Sequence, residues 1–178
     1  MPPRLTLLLA IALLITTATA IAQPAAPELV SVAKIWDQAP HNAFTDLTWF
    51  QNAWYCTFRE GDGHVGSDGR IRVITSPDGT TWQSAALLEE PGVDLRDPKI
   101  CITPDDRLML TIGGSVYQGN TLVSRHPRAT FSRDGKEFAP LIKIARENDW
   151  LWRTTWHKGV AWGAAYVGEF NESDKWSL

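Results

Sequence analysis

Apolar and polar positions along this chain change over in short runs, and the runs are separated by turn-forming residues. From Leu47 to Phe58 (LTWFQNAWYCTF) two aromatic-rich runs flank Gln51-Asn52, which predicts a hairpin. Arg70 to Ser76 (RIRVITS) opens by alternating Arg70 and Arg72 with Ile71 and Val73, the period of a half-buried strand. TWQSAALL then leaves an Asp-Gly turn as a fourth strand, so that four strands in sequence make one small antiparallel sheet. The pattern restarts at Asp97. DPKICITPDDRLMLTIGG and RATFSRDGKEFAPLIKIA each read as strand, turn, strand, and a third start, RTTWHKGVAWGAAYVG, turns at Lys158-Gly159. No stretch carries a convincing helical period.

Two of the turns share an order of residues. Ser76-Pro77-Asp78-Gly79-Thr80-Thr81-Trp82 and Ser132-Arg133-Asp134-Gly135-Lys136-Glu137-Phe138 both run Ser-x-Asp-Gly-x-x-aromatic, about 56 residues apart, a period of the order that marks propeller blades and other repeat arrays. In such a turn Asp78 and Asp134 accept backbone N–H groups, Gly79 and Gly135 supply a permissive backbone, and Trp82 and Phe138 enter the next strand facing inward. These residues are read as structural. The fold expected is all-β, a β-propeller of four-stranded antiparallel blades at about 41–90, 94–146 and 150–178, the last incomplete.

The first 22 residues change the picture of where the chain works. One basic residue, Arg4, precedes an apolar run from Leu7 to Ile15, and Ala20-Ile21-Ala22 closes it, the order of a secretory signal peptide cleaved near Ala22. The run falls short of the roughly 20 residues a membrane span needs, so the product is expected to be secreted or periplasmic without a stable membrane anchor. Residues 23–40 follow as a linker, Pro/Ala-rich at first, and lead-in to the first strand. A formal net charge of −3 with 44% hydrophobic residues argues against nucleic acid as a partner and against disorder. The two cysteines, Cys56 and Cys101, are too few for a disulfide framework and are read as free and buried, with one bridge as the alternative. Four scattered histidines lack metal-ligand spacing, and neither a metal nor a cofactor is expected. The nine tryptophans suit either a core or a sugar-binding cleft.

With SPDGTTW and SRDGKEF in view, the chain resembles the Asp-box, or BNR-repeat, propellers of the sialidase (neuraminidase) superfamily. Both copies lack the residue that usually separates Asp from Gly, and the second has Phe138 where Trp is usual. The resemblance implies a six-bladed propeller of which about three blades are present here, an N-terminal portion. It implies a glycoside hydrolase acting on a terminal sugar, exo-α-sialidase activity included, with carbohydrate as its partner. Sialidases close the second strand of a blade with an arginine and place a general-acid/base aspartate in the loop behind it. FREGDGHVGSDGR offers Arg59 and Asp62 at these places, with His64 and Asp68 as further candidates; the alternative reading of the segment is a Gly/Asp-rich solvent loop. Sialidases also open the first inner strand with Arg-Ile-Pro, whereas HNAFTDL has no arginine between Gln38 and Gln51.

In a propeller the leading residues of each first strand converge on one mouth. Aligning DLTW, DPKI and RTTW puts Asp46, Asp97 and Arg153 at one repeat position, flanked by His41 and Arg96. Such a group would either hold a sugar and position an acid, or form a buried ion-pair network between blades. Two further readings stay open. LRDP, from Leu95 to Pro98, is also similar to the opening of blades in five-bladed furanosidases and β-xylosidases. A non-catalytic propeller would instead display Trp54, Trp150 and Trp152 as a platform for glycans or proteins.

Overall fold

The computed structural model describes residues 26–167 and 175–177. The expected signal peptide, residues 1–22, lies outside the described residues, as do residues 168–174 of the third repeat. The chain divides into two units, Met1–Ala33 and Lys34–Leu178. In the first unit the described residues, 26–33, carry no regular secondary structure. Among the described residues no helix is long and apolar enough to cross a membrane.

The second unit is all-β, with antiparallel sheets and no helix among the described residues. β1 (His41–Phe50), β2 (Ala53–Gly61), β3 (Arg70–Ser76) and β4 (Gln83–Leu88) form one sheet in chain order. β5 (Asp94–Ile102), β6 (Leu108–Gln118), β8 (Arg128–Ser132) and β9 (Ile142–Lys143) form a second, with β7 (Thr121–Arg125) added on β6. β10 (Asp149–His157), β11 (Val160–Val167) and β12 (Lys175–Ser177) form the third. Gln51 and Asn52 both adopt positive φ, the backbone a tight two-residue hairpin needs. The β6–β7 hairpin has no counterpart in the first sheet and was not expected from the sequence.

Apolar residues from the facing sides of the first two sheets make the main core: Ile71 and Val73 from one, Leu95, Leu108, Leu110 and Ile112 from the other, all fully buried. A second cluster, Cys56, Phe58 and Ile74 on the opposite side of the first sheet, is partly covered by Trp36 and Trp82. Cys56 and Cys101 are both free thiols.

The two Ser-x-Asp-Gly turns are built alike. Asp78 accepts the backbone N–H groups of Thr80 and Thr81 at 2.8 and 2.7 Å, and Asp134 accepts those of Lys136 and Glu137 at 2.9 Å. Ser76 and Ser132 each accept the N–H of the turn glycine at 2.9 Å and donate to the turn aspartate at 3.0 Å. These N–H bonds hold both carboxyls below the ordinary aspartate range. Each turn joins the third strand of its sheet to the fourth. The second also ties the sheets together, because Tyr55 of β2 lies against Gly135 and donates its hydroxyl to the Asp134 carbonyl at 3.2 Å.

A second repeated feature sets up the site. β1, β5 and β10 each carry a β-bulge against the next strand, with register shifts between Ala43 and Asp46, Arg96 and Lys99, and Leu151 and Thr154. In each, two residues oppose one on the partner strand, which bends the strand and re-aims its side chains. Phe44 and Asp97, at equivalent places in their bulges, both have left-handed φ. Pro98 sits in the second bulge, where its missing N–H leaves no ladder bond unmade.

Candidate functional site

The bulges correct the alignment read from the sequence. By register, Phe44, Asp97 and Trp152 are equivalent, and Asp46 falls with Lys99 and Thr154. Asp46, Asp97 and Arg153 therefore do not share one repeat position. The similar strings DLTW, DPKI and RTTW straddle the bulge differently in each strand, and the string alone cannot show where the extra residue is.

Asp46 and Arg153 do meet, as an ion pair at 2.5 Å. Asp46 spends its other oxygen on the backbone N–H of Ile100, at 2.9 Å. With both oxygens engaged, Asp46 is a clamp between β1, β5 and β10, and its expected catalytic role gives way to a structural ion pair, less buried on the Arg153 side than the network expected. Arg153 is half-exposed and lines a separate small cavity of about 230 Å³ beside Trp162.

Arg59 is also corrected. Its guanidinium is fully buried and donates to Asp94 at 2.7 Å and to the Gly63 carbonyl at 2.8 Å. A group so enclosed cannot touch a substrate. Asp62, the expected acid, stands in solvent in the loop after β2, outside the cleft described below. Asp68 accepts the Gly92 N–H at 2.8 Å and ties that loop to the turn before β5. His41 turns its ring edge toward His64, with ring centroids 5.7 Å apart, and its Nδ1 is buried without a partner.

The residues that gather around open space are a different set. A cleft of about 340 Å³ lies over the second bulge, with Asp97, Arg96 and His64 on one side and Trp150, Tyr166 and Arg125 on the other. Phe44, Val65 and Leu122 supply apolar wall, and Tyr117 and Ser115 complete it from β6. Gly113 is needed beneath, because a Cβ there would come within 2.7 Å of the Trp150 ring. A larger open depression, about 460 Å³, lies against the second Ser-x-Asp-Gly turn. Of the two acids there, Asp134 is committed to backbone N–H groups and Glu137 stands exposed to solvent, so neither is a desolvated acid of the kind described below for Asp97.

The cleft is braced from below by Asp94. One of its oxygens takes Arg59 at 2.7 Å and the Gly69 N–H at 3.0 Å, and the other takes Arg96 at 3.2 Å. So held, Arg96 reaches the Tyr117 hydroxyl at 3.2 Å and lies over the Phe44 ring at 5.7 Å. It also meets Nε2 of His64 at 3.3 Å. A guanidinium has no acceptor, so Nε2 must accept and the His64 proton sits on Nδ1. Arg125 donates to the Asn148 carbonyl at 2.9 Å and lies over Tyr166 and Trp150 at 5.1 and 5.7 Å.

Asp97 differs from every other carboxylate described. Burial pushes its carboxyl above the ordinary aspartate range, against the pull of Arg96 and Lys99. Its Oδ1 is buried with no hydrogen-bond partner, and its backbone is left-handed at φ 46°. A desolvated, unpartnered acid in a strained backbone costs stability, and such groups concentrate where a ligand or a reaction uses them. Asp97 and Arg96 were both legible as candidates in LRDP. Asp94, Arg125, Tyr117 and Tyr166 were missed. Strand alternation alone would have put Asp94 beside Arg96, but nothing local marks the other three.

The expected platform of Trp54, Trp150 and Trp152 separates. Trp150 and Trp152 are neighbours, with centroids 6.4 Å apart, while Trp54 packs edge-on against Trp49 at 5.0 Å. Among the described residues no group of three His, Cys, Asp or Glu side chains is arranged to hold a metal ion.

The chain matches no protein-family model and no curated protein. Among solved structures it is similar to a candidate glycoside hydrolase from Parabacteroides distasonis at 15% identity and a TM-score of 0.44, over 77% of this chain and 50% of that one. It is also similar to a glycosyl hydrolase from Bacteroides ovatus at 15% identity and a TM-score of 0.46, over 71% of this chain and 43% of that one. The chain thus spans half or less of the length of these solved structures.

Proposed function

We propose that the three sheets are successive blades of an exported, sialidase-like Asp-box β-propeller, and that the cleft over the second bulge binds the terminal sugar of a glycan for hydrolysis. The turns and bulges that recur from sheet to sheet support the repeat. The observation that carries the functional reading is Asp97: an acid raised by burial, with an orphaned oxygen, on the wall of a cleft of sugar-binding character. A carboxyl whose proton is held more firmly than that of an ordinary aspartate can deliver it to a glycosidic oxygen as the C–O bond breaks, so that the leaving alcohol departs neutral. Arg96, fixed by Asp94, orients Tyr117 and the Phe44 ring around that acid.

One observation favours a second reading, glycan binding without turnover. Asp97 is the one carboxylate on the cleft lining among the described residues, whereas glycoside hydrolysis ordinarily uses two. The test is turnover of a panel of chromogenic α- and β-glycosides, sialosides and furanosides included, by the full chain and by Asp97→Asn and Asp62→Asn. The hydrolase reading expects Asp97→Asn to lose activity by about a hundredfold or more with Asp62→Asn unaffected. Loss in Asp62→Asn alone returns the acid role to the loop, and sugar binding without turnover by the wild type selects the binding reading.

A further inference from the structure

We infer that the cleft selects an uncharged sugar, one that presents hydroxyl donors to Asp97 and a C–H face to the apolar wall, and rejects sugars bearing a carboxylate. The inference rests on the glycan reading above and names the class of glycan.

Three observations carry it. First, the cations at the cleft are already turned to protein partners: Arg96 bonds Asp94, Tyr117 and His64, and Arg125 bonds the Asn148 carbonyl and lies over Tyr166 and Trp150. A ligand carboxylate needs a guanidinium fork turned toward it, in bidentate geometry. Second, the lining atom left without a partner is an acceptor, Asp97 Oδ1. It calls for a hydroxyl donor, and whenever the group is ionised its desolvated charge repels an anion. Third, no arginine lies between Gln38 and Gln51, so β1 brings no cation to the mouth. Phe44, Val65 and Leu122 suit the C–H face of a sugar instead.

The probes are paired methyl glycosides: glucose, galactose, xylose and arabinofuranose against glucuronic, galacturonic and N-acetylneuraminic acids. Binding to the full chain is followed at pH 7.5 by quenching of tryptophan fluorescence and by calorimetry. At least one neutral glycoside should bind, and more tightly than every acidic probe by about tenfold or more. Asp97→Asn should narrow that gap by admitting the acidic probes, an effect that a merely structural role for Asp97 would not produce. Equal or tighter binding of an acidic glycoside overturns the inference and leaves the glycan reading standing. Binding of no probe of either kind overturns the glycan reading itself.

Discussion

Replacing Gly135 by alanine tests how the second Ser-x-Asp-Gly turn joins two sheets. Gly135 has φ +71°, and a Cβ built there would stand 2.2 Å from Cε1 of Tyr55. Left-handed backbone costs a non-glycine residue about 1 kcal/mol. The clash adds more, because ring carbons cannot yield by swinging a flexible tip. Tyr55 must move away, which gives up its hydroxyl bond to Asp134 and its edge-on contact with Phe50 at 5.9 Å. Those two losses bring the total to about 3–4 kcal/mol. Gly119→Ala is the control, since Gly119 has φ +60° in the β6–β7 turn of the same sheet with open space around it. It should lose only the backbone share, about 1 kcal/mol. Urea denaturation followed by tryptophan fluorescence measures both. A Tm difference of roughly 10 °C between the variants would correspond. Equal midpoints would refute the docking of Tyr55 on the turn and, with it, the account of how the first two sheets are joined.

Three further outcomes are expected. Asp94→Ala leaves the buried Arg59 and Arg96 without their shared counter-ion and should cost about 3–5 kcal/mol, measured by chemical denaturation, with Asp94→Asn costing less; a loss under about 1 kcal/mol would contradict the bracing role. Asp97 has a folded pKa raised by burial, so the native state keeps a proton that the unfolded chain sheds, and stability falls as pH rises from about 4 through the folded value. Asp97→Asn should therefore melt higher than wild type at pH 7 and converge with it near pH 4, whereas a variant less stable at neutral pH would mean that the carboxylate is a structural partner. The Cys56 thiol is pushed up to about 11, by burial first and by the Asp46 carboxylate second. At pH 8 it should resist iodoacetamide in the native protein and react after unfolding in urea, as followed by mass spectrometry.

The strands and turns were legible because they rest on local chemistry. RIRVITS alternates and becomes β3 over Arg70–Ser76, while Gln51-Asn52 and Lys158-Gly159 adopt positive φ between paired strands. The two Asp-Gly turns form the bonds that their residue order anticipates. The site was legible only in part. A bulge is a mismatch between two strands, so it leaves no mark in either strand read alone, and the offset it introduces moved Asp46 and Arg153 away from Asp97. Arg59 looked available because it ends an apolar strand beside a Gly-rich loop. Its burial depends on Asp94, from the next sheet, and on a glycine at position 69, where a Cβ would stand 2.3 Å from the Arg59 Nε. Arg125 and Tyr166 enter the cleft from two different sheets, a proximity that only the tertiary arrangement creates.

Titrating the Asp97 carboxyl itself shows whether it is the working acid of the cleft. The ¹³Cγ resonance of Asp97, assigned by its disappearance in Asp97→Asn, is followed against pH with and without a sugar that binds. A buried, unpartnered acid in the cleft should show a midpoint above the ordinary aspartate range in the free protein, and a further change in that midpoint when the sugar occupies the cleft. A midpoint at the ordinary aspartate value, unmoved by any sugar that binds elsewhere on the chain, would contradict that role.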